Sequence, residues 1–176
     1  MNFICLPFLA ATLALVVAVQ AAEEIAPPNG VADFNSVKDI LDLVPKRALM
    51  QLKNPREIEA AKTTANAAFA QRALHKWITL KIRIKKWQPY EAQGVIPSKY
   101  RVEAEEEIAN VSGALVGVRA WVNLGAAAEP IITKMVHGEE LTVTSYLNRV
   151  ELAANPGDAQ VKLNLELSRT TIKPKP

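Results

Sequence analysis

Ile78-Thr79-Leu80-Lys81-Ile82-Arg83-Ile84-Lys85 alternates four aliphatic side chains with four polar ones. That is the pattern of a β-strand with one face in a core and one in water. The same period returns downstream. Tyr100, Val102 and Ala104 oppose Arg101, Glu103 and Glu105 until the alternation fails at Glu106. After Gly113, the residues Val116, Val118, Ala120, Val122 and Leu124 share a face, with Arg119, Trp121 and Asn123 on the other. Leu141, Val143, Ser145 and Leu147 form a fourth set. After the turn Asn155-Pro156-Gly157-Asp158, Val161, Leu163, Leu165 and Leu167 form a fifth. Trp87 to Lys99, with Pro89, Gly94 and Pro97, reads as a loop. Five strands that each bury one face are satisfied together by a sheet closing on itself around a single core.

Before His75 the period is helical. Ser36 with Asp39 three residues on is a helix start, and Val37, Ile40, Leu41 and Val44 supply an apolar face that Pro45 ends. A second short helix spans Lys46 to Lys53. Asn54-Pro55 offers a cap and a first-turn proline for a third, which runs to about Leu74 with Ile58, Ala61, Ala65 and Phe69 on one stripe. Ala126 to Val136 fits a short helix between Pro130 and Gly138, although Ile131, Ile132 and Thr133 are β-branched and would suit a strand. His137, just before Gly138, reads as the closing residue of that helix, where a cation suits the dipole.

Five short strands with a helix between the third and fourth is the layout of an OB fold. The stretch Ala60 to Lys85, an Ala- and Asn-bearing helix running into the first strand, resembles the bacterial tRNA-anticodon-domain-like OB family. Met135-Val136-His137-Gly138-Glu139-Glu140-Leu141-Thr142-Val143-Thr144 is similar to that family's Gly-Asp-x-Val-x-Val entry into the fourth strand. Glu139 stands where Asp is commoner, and Ser145 where the family has Gly. The likeness covers about two-thirds of the chain. It implies a mainly β fold with N-terminal helices, a five-stranded OB-like Greek-key barrel. It implies no defined activity and no contact with tRNA.

The chain has 176 residues, 49% hydrophobic and 22% charged, which suits one compact domain with an appendage and argues against disorder throughout. No Asp, Glu, Lys, Arg or His precedes Glu23. The apolar run from Phe3 to Val19 and the exit Val19-Gln20-Ala21 read as an export signal over residues 1–21, with an uncleaved membrane anchor as the rival. Once cleaved, the chain has no membrane span, and it loses Cys5, its one cysteine. An exported domain without disulfides must then hold itself by burial, for which roughly 155 residues suffice. Residues 22–35 read as a flexible leader, 36–53 as short helices, 54–172 as a helix plus the OB-like barrel and 173–176 as a loose tail. Localisation is expected to be periplasmic or extracellular.

Residues with chemistry are sparse. Neither His75 nor His137 belongs to an HxxxH or HExxH pair, and no GxSxG, P-loop or GxGxxG occurs. These absences point away from an enzyme and toward a module without cofactor or metal, although a hydrolase-type enzyme remains an alternative. Glu103, Glu105, Glu106 and Glu107 could attract Ca²⁺, but strand alternation spreads them over both faces and a turn, so a solvated edge is expected. Lys81, Arg83, Lys85 and Lys86 near Trp77, Trp87 and Tyr90 resemble a single-strand nucleic-acid binder. Antiparallel pairing of the first two strands would instead set the outward Lys81, Arg83 and Lys85 against Glu103 and Glu105, and a net charge of +3 makes only a weak field. The expected function is an exported, non-catalytic binding or structural module whose partner is a small ligand, a glycan or an envelope protein. The alternative is a single-stranded nucleic-acid or oligosaccharide binder using the outer face of the second and third strands. The candidate ligand-binding residues are Arg101, Arg119, Trp121, Trp87 and Tyr90. A water-exposed Trp121 would suit stacking, unless Leu41, Val44 or Leu49 of the N-terminal helices covers it.

Overall fold

The computed structural model describes residues 27, 30–52, 54, 56–92, 98–111, 114–153 and 161–173. The export-signal reading, Gly94 and Pro97, the Asn155 to Asp158 turn, and residues 174–176 lie outside the described residues. Three helices come first: α1 (Val37–Leu41), α2 (Lys46–Gln51) and α3 (Ile58–Arg72). Ser36 caps α1, its Oγ accepting the Asp39 N–H at 3.2 Å, as the Ser-x-x-Asp spacing predicts. The third helix starts later than Asn54-Pro55 because Asn54 closes a turn first. Its Oδ1 accepts the Arg56 N–H at 3.1 Å, and its carbonyl accepts the Glu57 N–H at 2.9 Å. The predicted stripe of Ile58, Ala61, Ala65 and Phe69 is buried.

Five strands follow: β1 (Trp77–Ala92), β2 (Ser98–Val111), β3 (Ala114–Leu124), β4 (Glu140–Ala153) and β5 (Val161–Lys173). They close into a ring in the order β1-β2-β3-β5-β4, antiparallel throughout except for β3 against β5. A parallel pair needs a crossover. Here it holds a 3-10 turn (Ala126–Ala128), a short helix α4 (Glu129–Ile132) and β4. The helix expected before β4 is therefore present, but it stops at Ile132, where β-branched residues accumulate and the Thr133 hydroxyl bonds back to the Glu129 carbonyl at 2.7 Å. His137 closes no helix. It stands in the turn before β4, where Gly138, at φ 86°, donates its N–H to the Ile84 carbonyl at 2.8 Å.

The alternating aliphatics point inward as read: Ile78, Leu80, Ile82, Ile84, Val116, Val122, Leu163, Leu165 and Leu167 are all buried. Ile40, Leu41, Leu49 and Phe69 join the same cluster, so the helices and the sheet share one core. The Glu129 carboxylate holds the Tyr100 phenol above its ordinary range, chiefly as a hydrogen-bond acceptor.

Trp87 to Lys99 is not one loop. β1 continues to Ala92 and β2 begins at Ser98, with Trp87 opposite Val102 and Pro89 opposite Tyr100. Two irregularities hide this from a period-two reading, one between Ile84 and Lys86 and one between Pro89 and Ala92. Pro89 is tolerated because β1 pairs with β4 only from Trp77 to Arg83, so the proline lies on a free edge. A similar irregularity between Glu106 and Ala109 is why the second strand's alternation failed at Glu106.

Beyond Tyr146 the outer edge of β4 has lost β1, and the turn between α3 and β1 replaces it. The His75 N–H donates to the Leu147 carbonyl at 3.0 Å, and the Leu147 N–H to the Lys76 carbonyl at 2.9 Å. Farther along, the Asn66 amide acts as a substitute strand. Its Oδ1 accepts the Leu152 N–H at 2.7 Å, and its Nδ2 donates to the Leu152 carbonyl at 3.3 Å. On the other side, Phe34 makes a parallel bridge with Ile78, and the Asp33 carboxylate accepts the Trp77 N–H at 2.8 Å. The end of the segment read as a leader is thus fixed to the sheet.

Candidate functional site

Three rungs of the ladder build the outer face. Gln88, Arg101 and Asn123 lie side by side across β1, β2 and β3. Lys86, Glu103, Trp121, Glu166 and Arg149 form the next rung, across all five strands. Arg83, Glu105, Arg119, Asn164 and Glu151 form the third. Bulges decide who stands there. Leu147 pairs with Leu167, but Arg149 pairs with Glu166, so Asn148 is an extra residue. That one insertion keeps Leu147 and Leu152 in the core and sends Arg149 and Glu151 outward.

Arg101 is held on three sides. Its Nε donates to Asn123 Oδ1 at 2.9 Å, one terminal nitrogen donates to Glu166 Oε1 at 3.1 Å, and the Tyr90 ring lies 3.8 Å from its guanidinium carbon. Arg149 is hydrogen-bonded to Glu151. Arg119 lies 4.0 Å from Glu103 and 3.8 Å from Glu105, with its guanidinium 5.9 Å from the Trp121 ring centre. Lys85 binds Glu105 at 2.8 Å and Lys86 binds Glu103 at 3.0 Å. The Lys85 hydrogen bond chiefly holds the Glu105 carboxyl below its ordinary range, with Lys85, Arg119 and Lys162 adding charge. Two buried polar atoms on this face have no hydrogen-bond partner, Arg119 Nε and Asn164 Oδ1. Their residues are opposite each other across β3 and β5.

A cleft of about 240 Å³ opens on this face. Trp121 and Asn164 line it together with Arg101, Arg149, Glu151 and Glu166. The helices do not cover it: Leu41, Val44 and Leu49 are buried in the common core, and Trp121 stands outside that cluster, partly exposed. Four of the five candidate residues, Tyr90, Arg101, Arg119 and Trp121, therefore gather on one surface. Trp87 does not. It packs half-buried against the core with its ring 6.1 Å from that of Tyr100, because the bulge after Ile84 turns it to the inner side.

Sequence reading missed Arg149, Glu151, Asn164 and Glu166. The available signal was the change of parity in β4, where Val150 and Leu152 fall out of phase with Leu141, Val143 and Leu147. Of the predicted cross-strand ion pairs, Lys85 with Glu105 is formed; Arg83 lies 3.7 Å from Glu140 of β4 instead, Lys81 stands opposite Thr142, and Lys86 and Arg119 take the places beside Glu103 and Glu105. Glu103 and Glu105 have these cations for neighbours, and the side chains of Glu106 and Glu107 lie outside the described residues. Among the described residues no cluster of His, Cys, Asp and Glu could hold a metal ion. No protein-family model, curated protein or solved structure matches this chain.

Proposed function

We propose that the protein is an exported, non-catalytic binding module on an OB-like Greek-key barrel, with its ligand face on the outside of β2 and β3 and extending over β5 to β4. The observation that carries the reading is the partly exposed Trp121 in a polar cleft that the N-terminal helices leave open. Support for the barrel comes from the ring order, with its parallel β3 and β5 and a helix before β4. OB folds have this architecture, and ligands engage their second and third strands. Export is supported by the first 22 residues, an apolar run with no Asp, Glu, Lys, Arg or His and a small-residue exit.

Tryptophan fluorescence of the mature chain, titrated with oligosaccharides and oligonucleotides at two salt concentrations, tests the face. A saturable change that disappears in Trp121→Ala but survives in Trp87→Phe supports it. A response to a ligand that Trp121→Ala leaves intact moves the site elsewhere, and no response to any ligand ends the binding reading in favour of a structural role.

A further inference from the structure

We infer that the cleft beside Trp121 takes one ring of a neutral carbohydrate rather than a phosphate-bearing ligand. This rests on the binding-face reading above and names the class of ligand for it. Stacking on the indole does not choose between a base and a sugar, since both offer a flat face. The polar groups do choose. Two arginines and two glutamates line the cleft, so their charges cancel, and they are already paired as Arg101 with Glu166 and Arg149 with Glu151. A phosphate entering there would either displace a carboxylate from its arginine or lie beside two carboxylates with no net positive charge to offset them.

The carboxylates point the same way. Glu151 and Glu166 each keep lone pairs beyond those their arginines use, and these call for a donor. The oxygens of a phosphate diester only accept, whereas every sugar hydroxyl both donates and accepts. A hydroxyl-rich ring with one apolar face fits all of these features. It stacks on Trp121, donates to the carboxylates of Glu151 and Glu166, and leaves both ion pairs in place.

Calorimetry and tryptophan fluorescence on the mature chain would use four probes. These are a β-1,4-linked glucose tetramer, a β-1,4-linked N-acetylglucosamine tetramer, a polyuronate tetramer and a single-stranded thymidine oligonucleotide. The expected result is binding of at least one neutral tetramer that changes less than about twofold between roughly 50 mM and 500 mM salt, because no counterions are released. Trp121→Ala should weaken it about tenfold or more, with Trp121→Phe recovering most of the loss and melting temperature confirming that each variant folds. Oligonucleotide binding with steep salt dependence, lost in Trp121→Ala, would overturn the carbohydrate assignment while sparing the binding face. Preference for the uronate would also overturn it. If neither neutral tetramer binds, the assignment fails, whatever else the face binds.

Discussion

Asn66→Ala is expected to destabilise the protein by about 2 kcal/mol, more than a half-buried helical asparagine ordinarily would. The reason lies at Leu152, which is fully buried and stands where β4 has outrun β1. Its N–H and carbonyl face a helix rather than a strand, and the Asn66 amide satisfies both, at 2.7 and 3.3 Å. Truncation orphans a donor and an acceptor, and each such group costs about 1–3 kcal/mol when water cannot reach it. Partial exposure of the Asn66 site lets water relieve one of them, and alanine's better helix propensity returns about 0.6 kcal/mol. With a urea m-value of about 2 kcal/mol/M for a domain of this size, the midpoint should fall by about 1 M at unchanged m. Asn66→Asp adds a sign test. The new carboxylate can accept from Leu152 but repels its carbonyl, so the protonated form is the one the fold favours and its pKa rises. Its deficit should therefore be largest at neutral pH and shrink as pH falls through the carboxyl range, when the acid can donate. A midpoint shift below about 0.3 M for Asn66→Ala, or an Asn66→Asp deficit that grows on acidification, would refute the substitute-strand argument.

Gly138→Ala should cost about 1–2 kcal/mol, read as a urea midpoint shift, through conformation alone: the residue sits at φ 86°, yet an added Cβ meets nothing within 4 Å. Trp87→Ala should cost about 2–3 kcal/mol and Trp121→Ala under about 1 kcal/mol, because Trp87 packs on the core whereas Trp121 faces outward; equal losses in thermal unfolding would reverse the assignment of faces. Glu105→Gln tests the acid limb. The Glu105 carboxyl is depressed mainly by Lys85, so its contribution is present above the unfolded carboxyl value of 4.5 and lost as pH falls. About half exposed, the pair is worth under about 1 kcal/mol. The melting-temperature gap between the variant and the wild type should therefore close between pH 6 and pH 3, and also in roughly 0.5 M salt.

The legible parts of the fold were those where one face is buried without interruption. Ile78 to Ile84, Val116 to Leu124 and Leu163 to Leu167 read directly as strands, and Ile58, Ala61, Ala65 and Phe69 as a helix stripe. Reading failed wherever the backbone carried an extra residue, since a bulge changes parity without changing composition. The bulge after Ile84 disguised the second half of β1 as a loop and put Trp87 on the wrong side. The edge of β4 was illegible for another reason. Pairing between an amide side chain and a backbone eighty-six residues away leaves no local trace.

The same bulges explain why only part of the candidate site could be read. Arg101, Arg119 and Trp121 lie on β2 and β3 before or after the irregular segments, so simple alternation places them outward. Arg149 and Glu151 reach that face only because Asn148 is an insertion. Were Asn148 instead an ordinary ladder residue opposite Glu166, they would point into the core beside Leu165 and Leu163, where two charges could not be hydrated. The insertion therefore serves stability and the cleft at once. It keeps Leu147 and Leu152 buried while supplying the arginine and carboxylate that complete the wall opposite Trp121. A β4 that kept strict alternation could not do both, so the polar composition of the cleft follows from the same backbone irregularity that keeps the core apolar.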